Sequence, residues 1–245
     1  MLEIDILTIF PELFEPFLET SFVGIARRDG AARIDAHQLR DWATDRHRSV
    51  DDSPYGGGPG MVMTPDPLIP AIESLAGEKG PDRKVRVVYL SPQGQPLDQS
   101  RLGELASGPP LLMVCGRYEG VDQRVLDLAV DEEISIGDYV LSGGEIPTMV
   151  LVEGIARLLP GVLGNPDSIA TESFQGGAVL EGPQYTRPPI YRDHSVPKVL
   201  RSGDHGAIED WRRREALART RDRRPDLIPE SVQKSKLGMD PEVEN

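Results

Sequence analysis

Polar and apolar residues alternate through EIDILTIF (3–10), the period-two pattern of a strand, and Pro11 closes it. Residues 12–28 read as two short helical pieces, and ARIDAHQL (32–39) as a second strand. Two apolar runs follow, KVRVVYL (84–90) and PLLMVC (110–115), of the kind a sheet buries on both faces. Between them DQSRLGELAS carries helical spacing, and after them EEISIG reads as another strand. PDPLIPAIESLA opens a helix with Pro in its first turns. EIPTMVLVEGIARLLPG (145–161) predicts a helix with Ile146, Met149, Val150, Ile155, Leu158 and Leu159 along its apolar face. This β-α-β alternation predicts an α/β domain with a parallel sheet.

After Gly161 the texture changes. VLGNPDSIATESFQGGAVLEGPQ is rich in turn formers and weakly periodic, which marks a linker or active-site loop. DHGAIEDWRRREALARTRDR is an amphipathic basic helix carrying Ile208, Trp211 and Leu217, and SVQKSKLGMDPEVEN is expected to fray. The expected division is a first domain over 1–161, a linker over 162–185, and a small, mostly helical basic domain over 186–245.

Composition narrows the class. The 245 residues suit one large or two small domains, and 38% hydrophobic with 27% charged residues is ordinary for a globular chain. No run approaches a membrane span, and MLEIDILTIF lacks the basic start of a secretory signal, so a reducing cytoplasm fits. The single cysteine, Cys115, rules out an internal disulfide and reads as a buried strand thiol rather than a nucleophile. A net charge of −13 argues against polyanions, yet residues 187–224 hold 11 of the 27 Lys and Arg against six acids. That local excess of cations fits RNA phosphate or, equally, a solvated helix face.

Glycine supplies the chemistry-bearing signal. SPQGQPLD, CGRYEGVD and SIGDYVLSGGE each follow an apolar strand run, and YGGGPG lies in the loop DRHRSVDDSPYGGGPGMVM (45–63). Ligands of α/β sheets bind at the carboxyl ends of strands, where such turns converge, although each turn alone reads as a tight turn. Neither G-x-G-x-x-G after a first strand nor G-x-x-x-x-G-K-[ST] occurs, which disfavours a dinucleotide oxidoreductase.

YLSPQGQPLDQ, CGRYEGVDQRV, SIGDYVLSGGE, GVLGN and YTRP occur in that order, with DRHRSVDDSPYGGGPGMVM and WRRREALARTRDRRPDL completing the set. Together they resemble the bacterial tRNA (guanine-N1)-methyltransferases, knotted SPOUT-class enzymes that act on the base 3′ to the anticodon, position 37, and support reading-frame maintenance. The resemblance runs from the first strand to about Leu227. It implies a trefoil knot in the α/β domain, S-adenosylmethionine as methyl donor, a Mg²⁺ requirement, tRNA as substrate, and a homodimer whose subunits share the active site. No membrane or further protein partner is implied, and no dedicated carboxylate cage for a metal is evident in the chain. Rival readings are a related knotted enzyme acting on ribose 2′-OH, and a non-catalytic RNA-binding protein that kept the fold.

By matching position the donor would lie on Tyr89, Leu90, Ser91, Pro92 and Gly94 of the first turn. The second turn would add Gly116, Arg117, Tyr118, Glu119 and Gly120. The third would add Ile136, Gly137, Asp138, Tyr139, Val140, Leu141, Gly143 and Gly144, with Pro147 stiffening the helix behind it. Adenine would slot among Leu90, Ile136 and Leu141 and meet main-chain amides left bare by the glycines. On this view Val at Gly116 or Gly144 abolishes donor binding in a folded chain. Guanine N1 must lose a proton before it can attack the methyl, so the reaction needs a base and a group to balance charge on O6. The resemblance places Glu172 as base, where the family has Asp, and Arg157 at O6; an exposed linker carboxylate and a solvent-facing Arg are the bland alternatives. Asp167 is a weaker substitute base. RNA contacts fall to His47, Arg48, Asp52 and Tyr55 near the base, and to Arg187, Arg201, Arg212, Arg213 and Arg214 on phosphates; Asp52 fits an Asx turn equally well.

Overall fold

The computed structural model describes residues 1–164, 172–174 and 179–228. The expected frayed tail, Asp167 and much of the 162–185 linker lie outside the described residues. The chain divides into two compact units, 1–164 and 165–245.

The first unit is built on a five-stranded, all-parallel sheet. Its strands are β1 (Leu2–Thr8), β2 (Ala32–Gln38), β5 (Arg86–Pro96), β6 (Leu111–Val114) and β7 (Glu132–Ser135), in the order β2-β1-β6-β5-β7. The expected α/β architecture with parallel pairing is therefore present. Alternation along the strands sends side chains to two cores. Ile4, Ile6, Val88, Leu90, Leu111 and Met113 face one cluster, while Leu7, Val87, Tyr89, Leu112 and Val114 face the other. Both faces are covered, which is why β5 and β6 read as continuous apolar runs. Helices α1 (Glu15–Leu18), α2 (Ser21–Arg28), α4 (Gln99–Ala106) and α6 (Glu145–Ala156) cover the first face, and α3 (Pro65–Ala76) and α5 (Gln123–Ala129) the second. Asp98 and Asp122 cap α4 and α5, their carboxylates accepting from Arg101 N–H at 2.7 Å and Arg124 N–H at 2.9 Å.

Four features depart from the pattern. The 45–63 loop contains a minimal hairpin, β3 (Asp51–Asp52) against β4 (Val62–Met63). The strand expected to end at Leu90 resumes: Leu90 and Gln95 both pair with Ile134, so Ser91–Gly94 bulges out between them. Helix α5 lies where only a turn was expected. Finally, α6 stops at Ala156 and buries Pro147, Thr148, Leu151, Val152, Ile155 and Ala156, leaving Ile146 and Val150 exposed. A helix apolar all round offers no stripe from which to choose its inner face.

In the second unit, a two-stranded hairpin of β8 (Ile190–Tyr191) and β9 (His194–Ser195) precedes α7 (His205–Arg223), which starts on an Asp204 cap. Among the described residues no helix is long and apolar enough to cross a membrane.

Candidate functional site

The carboxyl ends of β5, β6 and β7 open into a cavity of about 360 Å³, within the range of small-molecule sites. Three chain segments build it: the β5 bulge, the turn after β6, and the 136–144 loop leading into α6. Most of the residues expected on the donor line this one space: Tyr89 to Pro92, Gly116 to Gly120, Ile136, Gly137, Tyr139 to Leu141, Gly143, Gly144 and Pro147. Gly94 and Asp138 do not. At Gly94 a Cβ would stand 2.5 Å from the backbone of Glu133 and Ile134, so this glycine lets the bulged strand return to β7. The lining also includes Gln93, Val121, Gln123, Leu126, Ser135 and Ser142. Gln93, Val121, Gln123, Ser135 and Ser142 lie inside the quoted motifs and could have been included; Leu126 sits on the unforeseen α5 beyond them.

The two glycine turns are packed on each other. Gly144 N–H donates to the Gly116 carbonyl at 2.9 Å, and Arg117 bridges to Gly143 in antiparallel fashion. A Cβ on Gly144 would lie 2.8 Å from Cys115 Cα, and one on Gly116 would strike the Tyr89 ring. Their bareness thus serves contact of main chain with the protein's own core as well as any ligand. The expectation that Val at either place leaves the fold intact is accordingly corrected: at Gly144 the clash is with backbone, and at Gly116 the outer end of the Tyr89 ring has to move aside.

Beneath the turns lies a buried charge network. Glu145, 1% exposed, accepts from Thr8 Oγ1 at 2.9 Å and from Arg117 Nε at 2.9 Å. The Arg117 guanidinium also covers the Phe10 ring at 4.7 Å. Arg117 therefore joins β1, the β6 turn and the start of α6. Neighbouring Cys115 hydrogen-bonds Thr148 at 3.2 Å, and burial pushes its thiol well above the ordinary range, as fits an inert core cysteine. Burial, with Glu133 nearby, raises the Tyr89 phenol to about 12. Tyr118 takes a positive φ of 60°, a strained conformation on the cavity wall.

The 45–63 loop is stitched to the same wall. Glu119 N–H donates to Met61 O, Met63 N–H to Gly120 O, both at 2.9 Å, and Asp122 N–H to Met63 O at 3.0 Å. Within the loop Tyr55 is fully exposed, and the His47 amide is held by Asp45 at 2.9 Å. Arg48 reaches Asp41 at 3.4 Å, and Asp52 accepts from the adjacent Ser53 amide at 2.7 Å, one residue on rather than the two of an Asx turn.

Arg157 is the residue after α6, outside the cavity lining, ten residues and about 15 Å of helical rise beyond Pro147. Glu172 belongs to the second unit, where Ser173 Oγ accepts from Glu181 N–H at 2.9 Å. Leu180 N–H in turn donates to Thr220 Oγ1 of α7 at 2.8 Å. Arg187, Arg201 and Arg212 line a separate cavity in that unit. Arg213 is instead engaged by Glu209 at 3.3 Å and Asp210 at 3.8 Å, and Arg214 is exposed. Among the described residues no group of three or more His, Cys, Asp or Glu is placed to hold a metal ion.

A family model described as tRNA (Guanine-1)-methyltransferase TrmD matches residues 2–230. Curated relatives named tRNA (guanine-N(1)-)-methyltransferase are similar over most of their length. The protein of Frankia casuarinae is 55% identical over 91% of this chain and 82% of its own. That of Halorhodospira halophila is 52% identical over 92% and 84%, and that of Thermobifida fusca 50% over 95% and 92%. With nearly the whole chain matched and its glycine turns gathered on one cavity, this protein belongs to the tRNA (guanine-1)-methyltransferase TrmD family.

Proposed function

We infer that the chain transfers a methyl group to N1 of guanine in tRNA, at the base 3′ to the anticodon, and that the first-unit cavity holds the donor. The reading is carried by the convergence of three side-chain-poor turns on that cavity in a chain of this family. S-adenosylmethionine, when bound, supplies a methyl already activated by a sulfonium. The residues present fit it: Leu90, Ile136 and Leu141 offer apolar walls for a flat ring, and the glycine turns leave main-chain groups within its reach.

The rest of the chemistry falls to protein groups. The Glu172 carboxylate takes the N1 proton as the N1–carbon bond forms and the carbon–sulfur bond breaks. Arg157 balances the negative charge that moves onto O6. His47, Arg48, Asp52 and Tyr55 present the target base, and the arginines of the second unit hold phosphates. Glu has one methylene more than the family's Asp, so its carboxylate reaches N1 from a slightly retracted backbone.

Three further elements belong to the same proposal. A trefoil knot over the 116–144 turns is supported by the Gly144–Gly116 and Arg117–Gly143 pairings. A homodimer is supported by the exposed apolar residues Ile146 and Val150 on α6, and a cytoplasmic location follows from the reading as a tRNA-modifying enzyme. Mg²⁺ follows from the family resemblance alone, and no step here is routed through it.

Labelled methyl transfer to unmodified tRNA, followed by nucleoside analysis, tests the reading. The expected product is 1-methylguanosine. A ribose-methylated nucleoside, or no transfer, would overturn it. Glu172→Gln is expected to lower turnover by about 10² or more with donor affinity unchanged by calorimetry; unchanged turnover would move the base elsewhere.

A further inference from the structure

The second unit contains a cavity of about 510 Å³ that the methyl-transfer chemistry does not use. Three of its lining side chains are cations, Arg187, Arg201 and Arg212, and none is an acid. In a chain of net charge −13 with 40 Asp and Glu, an acid-free lining is informative. None of the three guanidinium groups makes an ion pair among the described residues, whereas Arg213 and Arg224 on the same stretch of chain are both paired with carboxylates. Three like charges around one space repel each other, and an anion placed among them removes that repulsion. Planar guanidinium forks match phosphate oxygens best of all side chains.

The rest of the wall is mostly apolar, with Gln184 and Thr186 as its neutral polar members. Pro183, Pro189, Val196, Leu200 and Ile208 give it a surface that a bare phosphate would leave in water. Tyr185 is half exposed at the cavity, and its ring is backed by Trp211 with centroids 6.2 Å apart. An aromatic face beside an arginine cluster is how proteins take an unstacked nucleotide of single-stranded RNA: the ring stacks on the base while the arginines bind its phosphate.

We propose that this cavity binds one unstacked nucleotide of the tRNA, other than the guanine that is methylated. Tyr185 and the apolar wall receive the base, and Arg187, Arg201 and Arg212 hold the flanking phosphate. The inference rests on the reading of the chain as a tRNA-modifying enzyme and adds a second anchoring point to it. A second anchor would favour RNAs that offer an unstacked nucleotide as well as the target guanine.

The test uses the full-length protein and whole tRNA. Ile208→Trp puts a bulky ring into the cavity, in the way of an incoming base, without touching charge, and is expected to raise the KM for tRNA at least about fivefold, the weakest base–aromatic stack converted to affinity. The donor KM and kcat at saturating tRNA should hold. Arg201→Gln should weaken binding and flatten the plot of log affinity against log salt by about 0.7 for each phosphate no longer held. A photoreactive phenylalanine at Tyr185 should cross-link to tRNA at a nucleotide other than the methyl acceptor. Unchanged tRNA affinity in Ile208→Trp with an unchanged melting curve, or cross-linking only to the methylated guanine, would overturn the proposal. Should wild-type protein bind tRNA but transfer no methyl, the catalytic reading would fail, while the binding and cross-linking arms would still judge the cavity.

Discussion

At the residue scale, Glu145 carries more than any motif assigned it. Buried, and bonded to both Thr8 and Arg117, it fixes the cation that ties the two cavity turns together. Glu145→Ala leaves Arg117 without its anion and Thr8 without its acceptor; breaking a buried pair in this way costs about 3 kcal/mol. Urea unfolding should show that loss, and calorimetry a weaker donor complex. Unaltered donor affinity would confine Glu145 to stability alone. Tyr89 offers a pH-dependent counterpart. Its phenol is raised from 10.0 to about 12, so between those values the unfolded chain releases a proton that the folded chain keeps. Stability is therefore full below pH 10 and falls by about 3 kcal/mol as pH rises to 12, for this group. Tyr89→Phe should flatten that alkaline descent in unfolding curves measured across the range. The motif residues were legible as members of one site because their order and spacing carried the resemblance. Arg117 as a clamp was not, since its acidic partner is 28 positions away and the sequence holds no trace of which carboxylate it meets.

At the element scale, legibility followed burial. β1, β2, β5 and β6 announced themselves because a sheet covered on both faces, or patterned at its edge, writes its period into the chain. The β5 bulge did not: Ser91, Pro92 and Gly94 are turn formers, and only pairing with β7 across the bulge shows that the strand continues. Helix α6 hid its orientation for the opposite reason, being apolar on every side. Glycine at this scale has two opposite meanings, and melting temperatures should separate them. In α4, a Cβ on Gly103 would meet nothing within 4 Å, so Gly103→Ala should stabilise by about 0.5–1 kcal/mol through a less flexible unfolded chain. At Gly144 the same added carbon meets Cys115 Cα at 2.8 Å, so Gly144→Ala should destabilise by about 1–3 kcal/mol and weaken the donor complex. Equal effects would mean that the 116–144 turns are not tightly packed on each other.

At the scale of the whole molecule, the proposed homodimer makes it testable which chain serves which site. Pro147 lines the donor cavity, and Arg157 stands about 15 Å further along α6, outside the lining. In the proposed homodimer a second copy docks through the exposed Ile146 and Val150 and brings its own Arg157 to this donor. The family resemblance implies an active site shared between subunits, so the proposal pairs the cavity of one protomer with Arg157 and Glu172 of its partner. Mixed dimers test this arrangement. Leu141→Asp puts a charge into the apolar slot and leaves Glu172 intact; Glu172→Gln removes the base and leaves the cavity intact. Each homodimer should be inactive. After unfolding and refolding the two together, half the dimers are mixed, and each holds one site with a good cavity and a good base. Activity should return to about a quarter of the wild-type value, as two-fold symmetry requires. If cavity and base came from the same chain, every site in the mixture would lack one of them and no activity would return.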